Sequence, residues 1–387
     1  MHMADLFDYL KWRSDVPFSI APFNDVDNLI LAELAYSDFS SIGPSDGKPL
    51  PLTEVCERFF EAHSKEEILK NTSFTAKAPL LMESMVTGSR FGTMRLCRYV
   101  NHLDEKKTAQ MSAVTYLLDD GTVYVAFRGT DSTLIGWRED FDIGVLTETR
   151  GQLLAVSYLD SIAGVFDLPI RVGGHSKGGN FAVYAASFCR SEIQDRIISV
   201  YSNDGPGFRK EITETSGYLR ILPRVCKIVP DTSMIGMLLT DKAARQVVRS
   251  GAFGILQHDA FSWSTERDRF EPAEPSELGK LFNTALASWI DGMDDKFRNS
   301  VIDTIFDAFE ATGADTFHEI AQQKWKSAEA VLGYLLKISR EKQEELLQLA
   351  GSLLKNGGQA ALAQLPELLF SKDDASDEAE VPDRESE

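Results

Sequence analysis

Apolar residues change their spacing twice along the chain, and each change marks a different kind of element. In the first hundred residues the spacing is helical. The run "FNDVDNLILAELAYSDFS" offers Asn24 or Asp25 as a start and sets Leu29, Ile30, Leu34 and Ala35 on one helical face. "PLTEVCERFFEAHS" predicts a second helix, opened by Thr53, with Val55, Phe59 and Phe60 on one side. Both read as helices that pack on a core, with a lid or an access channel as the other role open to them.

From Arg95 the pattern becomes that of strands. "MSAVTYLLDDGTVYVAFRGT" holds two β-rich runs, Ala113–Leu118 and Val123–Arg128, around the hairpin signal Asp119-Asp120-Gly121, and "MRLCRYVNHL" is expected beside them as an antiparallel edge. Strand and helix then alternate: a helix over Leu153–Phe166, a strand over Ile170–Gly173, a helix over Gly178–Cys189, and strands over Ile197–Ser202 and Val225–Val229. Such alternation needs crossover connections, which predicts an α/β fold with a mostly parallel sheet covered on both faces. Past Trp263 the spacing is helical again. Ser276 is the expected N-cap of "PSELGKLFNTALASWIDGM", and "KFRNSVIDTIFDAFEATG" stops at Gly313. The organisation read from these shifts is an N-terminal helical segment over 1–93, a core over 94–270, a C-terminal helical appendage over 271–370, and a disordered acidic tail over 371–387.

Composition narrows the function classes. Hydrophobic residues are 43% and charged residues 26% of the 387, ordinary values for a globular chain. The net charge of −19, from 59 acidic against 40 basic residues, repels phosphate backbones, so nucleic acid is an unfavoured partner. Cys56, Cys97, Cys189 and Cys226 show no CxxC pairing, which gives neither a zinc site nor a disulfide framework. No secretory signal and no uncharged run of membrane-spanning length is visible. The expectation is a cytoplasmic protein whose membrane contact, if any, is peripheral.

The candidate chemistry lies in "RVGGHSKGGN". Gly174-His175-Ser176-Lys177-Gly178 fits GxSxG, with a strand before it and a helix bearing Phe181, Val183, Tyr184 and Ala186 after it. Strand, turn and helix in that order are the setting of a nucleophile elbow, where small neighbours such as Gly174 and Gly178 let the elements approach closely. The helix N-terminus points at the hydroxyl, and the backbone N–H of Lys177 is a natural oxyanion donor. Neither the Walker order GxxxxGK[ST] nor GxGxxG fits, and a purely structural tight turn is the remaining rival.

A serine needs a histidine to take its proton and a carboxylate to hold that histidine's tautomer. Of six histidines, His175 adjoins the serine and points away from it, His2 is terminal, His63 and His102 come before the catalytic end of the sheet, and His318 falls in the appendage. His258 remains, after the last strand-like run, "RQVVRSG". The acid is expected at the end of a later strand: Asp231 after Val225–Val229 is the first choice, Asp204 in "VYSNDGPGF" the competitor, and Asp259 reads as a surface neighbour. Thr130, in the turn after "VYVAFRG", is the second oxyanion candidate.

The stretches "AFRGTDSTLIGWREDF" and "GGHSKGGNFAVYAA", with the aspartate of "VPD" and the histidine of "LQHD", resemble the class 3 lipase branch of the α/β-hydrolases over about Arg95 to Trp263. The chain resembles still more a bacterial family of lipase-like proteins, a likeness that also takes in "FDYLKWR" and "FNDVDNLILAELAYSDF" near the start. The resemblance implies a lipase-like α/β-hydrolase core, with Ser176 as nucleophile, Asp231 and His258 as its partners, and Thr130 at the oxyanion. It implies positional roles for Trp137 and Asp140. Lys177 departs from the apolar residue usual in class 3 lipases and puts a positive charge near the pocket mouth unless it is paired. The expected function is a serine hydrolase cleaving a small-molecule or lipid carboxylic ester, with no cofactor or metal. An acyl thioesterase, a peptidase and an inactive scaffold of the same fold are the alternatives.

Overall fold

Eight strands lie side by side in chain order, and the direction of pairing changes once. β1 (Leu50–Pro51), β2 (Arg95–Asp104), β3 (Ala109–Leu117) and β4 (Val123–Phe127) are antiparallel neighbours. From β4 onward, β5 (Ile170–His175), β6 (Ile197–Asn203), β7 (Val225–Pro230) and β8 (Arg245–Val248) add in parallel. This computed structural model describes residues 3–43, 48–71, 73, 75–104, 109–130, 148–276, 279–280, 295–314, 319–320, 323–344 and 346–347.

Side chains alternate across a strand, so each face of the sheet has its own core. Val114, Tyr116, Tyr124 and Ala126 face α1 (Leu6–Arg13), α2 (Asp25–Leu34), α3 (Leu52–Ala62) and α4 (Leu81–Val86). Ala113, Val123, Val125 and Phe127 face α5 (Arg150–Val165), α6 (Lys177–Phe188) and α7 (Ser216–Ile221). The N-terminal helices therefore share one core with the sheet. α2 starts where the sequence indicates, with Asn24 in a capping box against Asp27, and its residues Val26–Leu34 are all buried.

Three local expectations need correction. β2 is not the edge, because β1 pairs outside it. Thr53 does not open α3: the helix starts at Leu52 after Pro51, whose φ of −58° already suits a helix start, and Leu52 N–H is taken by Met94 O. β5 runs on to His175 and α6 begins at Lys177, so one residue, Ser176, makes the whole turn.

Within the C-terminal region, Ser276 Oγ accepts from Gly279 N at 2.9 Å, and residues 281–294 lie outside those described. α8 (Asp295–Glu310) and α9 (Lys324–Leu335) pack together, with Tyr334 O–H donating to Asp307. The expected tail, residues 371–387, also lies outside the described residues. Among the described residues, no helix is long and apolar enough to cross a membrane.

Candidate active site

Parallel strands bring their carboxyl ends to one edge, and the candidate residues sit there because each follows a strand directly. Phe127 pairs with Gly174, His175 with Asn203, and Asn203 with Ile228. Ser176 and Asp204 are thus the next residues on adjacent strands. Ser176 N–H donates to Asn203 O and Asp204 N–H to Ile228 O, which carries the pairing one step past the strand ends.

Ser176 has φ 58° and ψ −132°, a conformation unfavourable for a residue with a Cβ and retained here by the strand before it and the helix after it. The turn closes because Gly178 has no side chain: a Cβ there would fall 2.0 Å from Phe127 O, and one on Gly174 would fall 2.3 Å from Gly178 C. Gly129 also lies against this turn, since its Cβ would come 2.6 Å from His175 O and 3.0 Å from Ser176 Cβ. That contact brings the Arg128-Gly129-Thr130 turn against the serine, and Thr130 is buried there. Lys177 is buried too, 4% exposed, so its ammonium is not at an open mouth. Trp137 and Asp140 lie outside the described residues.

His258 ends a 3₁₀ turn, Gly254–His258, and its Nδ1 is 2.7 Å from Asp204 Oδ2. Asp204, not Asp231, is therefore the carboxylate against the imidazole. The register gives the reason. Asp204 is one strand from Ser176, whereas Asp231 is a strand further out and two residues beyond the level of Asp204. The other oxygen of Asp204, Oδ1, accepts from Ser233 Oγ and from Gly236 N at 3.1 Å. Asp231 instead accepts from Gln257 Nε2 at 2.8 Å and from Thr232 Oγ1, so it anchors the loop that carries His258.

The loop after Asp204 is held on both sides. Asn180 of α6 donates to Pro206 O and Gly207 O, and the buried Lys227 ammonium donates to Gly205 O while paired with Asp241. Asn203 donates to Gly174 O and accepts from Asn28 of α2 at 2.8 Å. These amides had no sequence signal beyond polarity within apolar elements.

Residues 85–307, more than half of the chain, match the Mbeg1-like family. The chain belongs to that family. It is also similar to solved lipases. With the Rhizomucor miehei lipase propeptide complex it shares 17% identity at a TM-score of 0.30, over 40% of this chain and 57% of that one. With the lipase from Rhizopus microsporus var. chinensis it shares 14% identity at 0.33, over 44% of this chain and 66% of that one. For M37 lipase the values are 13%, 0.30, 55% and 83%. The chain thus spans less than two thirds of the first two lipases. No curated protein matches the sequence.

In this Mbeg1-like chain the sheet that carries Ser176 is that of an α/β-hydrolase: mostly parallel, with helices on both faces and the serine in the turn from β5 to α6. Behind the strand end lies a buried acid-base cluster that the sequence reading missed. Tyr36 O–H is 3.0 Å from His175 Nδ1, and Glu33 Oε1 is 3.3 Å from the same nitrogen. The second contact looks like an ion pair by distance. Yet burial, and then the neighbouring His258, hold His175 well below the ordinary imidazole value, while burial, and then Asp259, push Glu33 well above the ordinary carboxylate value. His175 is thus neutral at pH 7, and Glu33 keeps its proton to higher pH than an ordinary carboxyl. Asp259 is half-buried: burial pushes its carboxyl up to about 6, and it caps the next 3₁₀ turn by accepting from Phe261 N. Glu33 could have been found as the one charged residue inside the apolar run "LILAELA".

A pH effect follows from Glu33. The folded state keeps a proton that the unfolded chain loses above about 4.5, so this group lowers stability as pH rises from there through its folded value. Glu33→Gln is expected to raise the urea midpoint relative to wild type at pH 8 but not at pH 4. A difference between the two proteins that does not grow with pH in parallel urea titrations refutes the upward shift of Glu33.

Proposed function

We propose that the protein is a serine hydrolase that cleaves carboxylic esters through an acyl-enzyme. The observation that carries this reading is the positive-φ serine at the strand-to-helix turn, at the same sheet edge as a buried imidazole bonded to a carboxylate. Ser176 Oγ attacks the ester carbonyl carbon while His258 Nε2 takes the hydroxyl proton. Asp204 holds the Nδ1–H tautomer and stabilises the imidazolium that forms. The backbone N–H groups of Lys177, at the positive end of α6, and of Thr130 stabilise the tetrahedral oxyanion.

Collapse of that intermediate expels the alcohol, which leaves with the proton from His258. Water then repeats the sequence on the acyl-serine, with His258 as base, and releases the acid. The substrate is a small-molecule or lipid ester; an acyl thioester reacts by the same steps. A fluorophosphonate probe tests the nucleophile: one adduct per chain, mapped to Ser176 by mass spectrometry and absent from Ser176→Ala, is the expected result. No adduct on folded wild-type protein, or one at another residue, sinks the proposal.

A further inference from the structure

A second imidazole lies against His258, and the acyl-transfer steps do not use it. The rings of His175 and His258 are 4.6 Å apart at 33°, and His175 Nε2 is 2.9 Å from His258 O. A carbonyl oxygen can only accept, so Nε2 must carry the proton. With the ring neutral, Nδ1 is an acceptor, and Tyr36 O–H faces it at 3.0 Å. The tautomer of His175 is thus set from both sides by geometry.

We propose that His175 is a positioning residue for His258: through Nε2–H it ties the backbone of the base to the strand end that carries the nucleophile. This rests on Ser176, His258 and Asp204 acting as described above. The tether is short, because His175 is the residue immediately before Ser176. His258 arrives on a loop 83 residues beyond His175 in the chain. Asp204 holds its ring at Nδ1. The bond from His175 to His258 O supplies a second fixed point, and the tilted His175 ring lies against the His258 ring. Trp263 lies edge-on to His175 at 6.3 Å, and its Nε1–H donates to Gln257 O, which holds the loop from the far side.

The groups facing His175 agree with a neutral role. They are Glu33 and Tyr36 from the N-terminal segment and His258 from the loop. A cation at His175 would repel the imidazolium that forms on His258, and burial of the His175 ring disfavours one. The N-terminal segment therefore contributes to the site by setting this tautomer.

The test compares two buried amides of like polarity. In His175→Gln the side-chain N–H reaches the position of Nε2 and can still donate to His258 O. In His175→Asn the amide stops one carbon short, near the position of Nδ1, and loses that bond. With a short-chain p-nitrophenyl ester, His175→Asn is expected to lose about 100-fold in kcat with little change in KM, because the base is misplaced while the substrate contacts stay. His175→Gln is expected to recover most of the loss. Ring ¹⁵N–¹H spectra read the same point without turnover: a downfield Nδ1–H of His258, bonded to Asp204, persists in wild type and His175→Gln and is lost to exchange in His175→Asn. Equal kcat and unchanged His258 resonances in all three proteins overturn the proposal, as does a Gln variant as impaired as the Asn variant. If wild type shows the expected spectra but neither hydrolyses the ester nor binds a fluorophosphonate, the reading of Ser176 fails and the tether stands.

Discussion

Asp204→Asn is expected to lower kcat for a short-chain ester by about 10⁴-fold while leaving the fold intact, because it reverses the tautomer of His258. Asp204 Oδ1 accepts two hydrogen bonds, from Ser233 Oγ and Gly236 N, so an asparagine keeps its carbonyl oxygen at that position. Its NH₂ group then occupies the position of Oδ2 and donates to His258 Nδ1. The imidazole proton moves to Nε2, where the ring can no longer take a proton from Ser176. Asp231→Asn is expected to leave kcat close to wild type, since that carboxylate contacts the base only through Gln257. Steady-state kinetics of the two variants, with thermal unfolding as the control, decide the matter. Loss of activity at Asp231 and not at Asp204 would overturn the assignment of the acid.

The second large effect concerns stability. Arg90 and Asp27 form an ion pair with both side chains fully buried. The guanidinium also donates to Val16 O, Ala21 O and Pro22 O, and Asp27 accepts from Tyr9 O–H and from Asn24 N at the start of α2. Arg90→Met leaves a buried carboxylate without its cation, and three carbonyls without their donor. The expected cost is about 3–5 kcal/mol, read from urea denaturation. Replacing Asp27 by Leu in the same chain is expected to recover much of the loss, because the uncompensated charge is then gone. A single variant as stable as wild type would show that water reaches the site.

The pair also shows where sequence reading stops. Asp27 and Arg90 are 63 residues apart, and each sits in a run that reads as polar surface or helix cap. The fully buried Glu33 was hidden in the same way, since helical periodicity marks an apolar face but α2 is buried all round. The turn that holds Ser176 was legible for the opposite reason: its signal is local, a strand, a turn too tight for any side chain at Gly174 or Gly178, and a helix within one short stretch. His258 was legible by elimination, since every other histidine had a place elsewhere in the chain.

The order of elements, the parallel sheet they require and the position of Ser176 were written in spacing and residue size, which act over a few residues at a time. Which carboxylate meets His258 was not. Asp204 and Asp231 each follow a strand and carry the same local signature. The choice between them depends on register across two strand pairings and on a loop anchored by Gln257 and His175. Those are contacts between residues far apart in the chain, and only packing of the folded molecule brings them together.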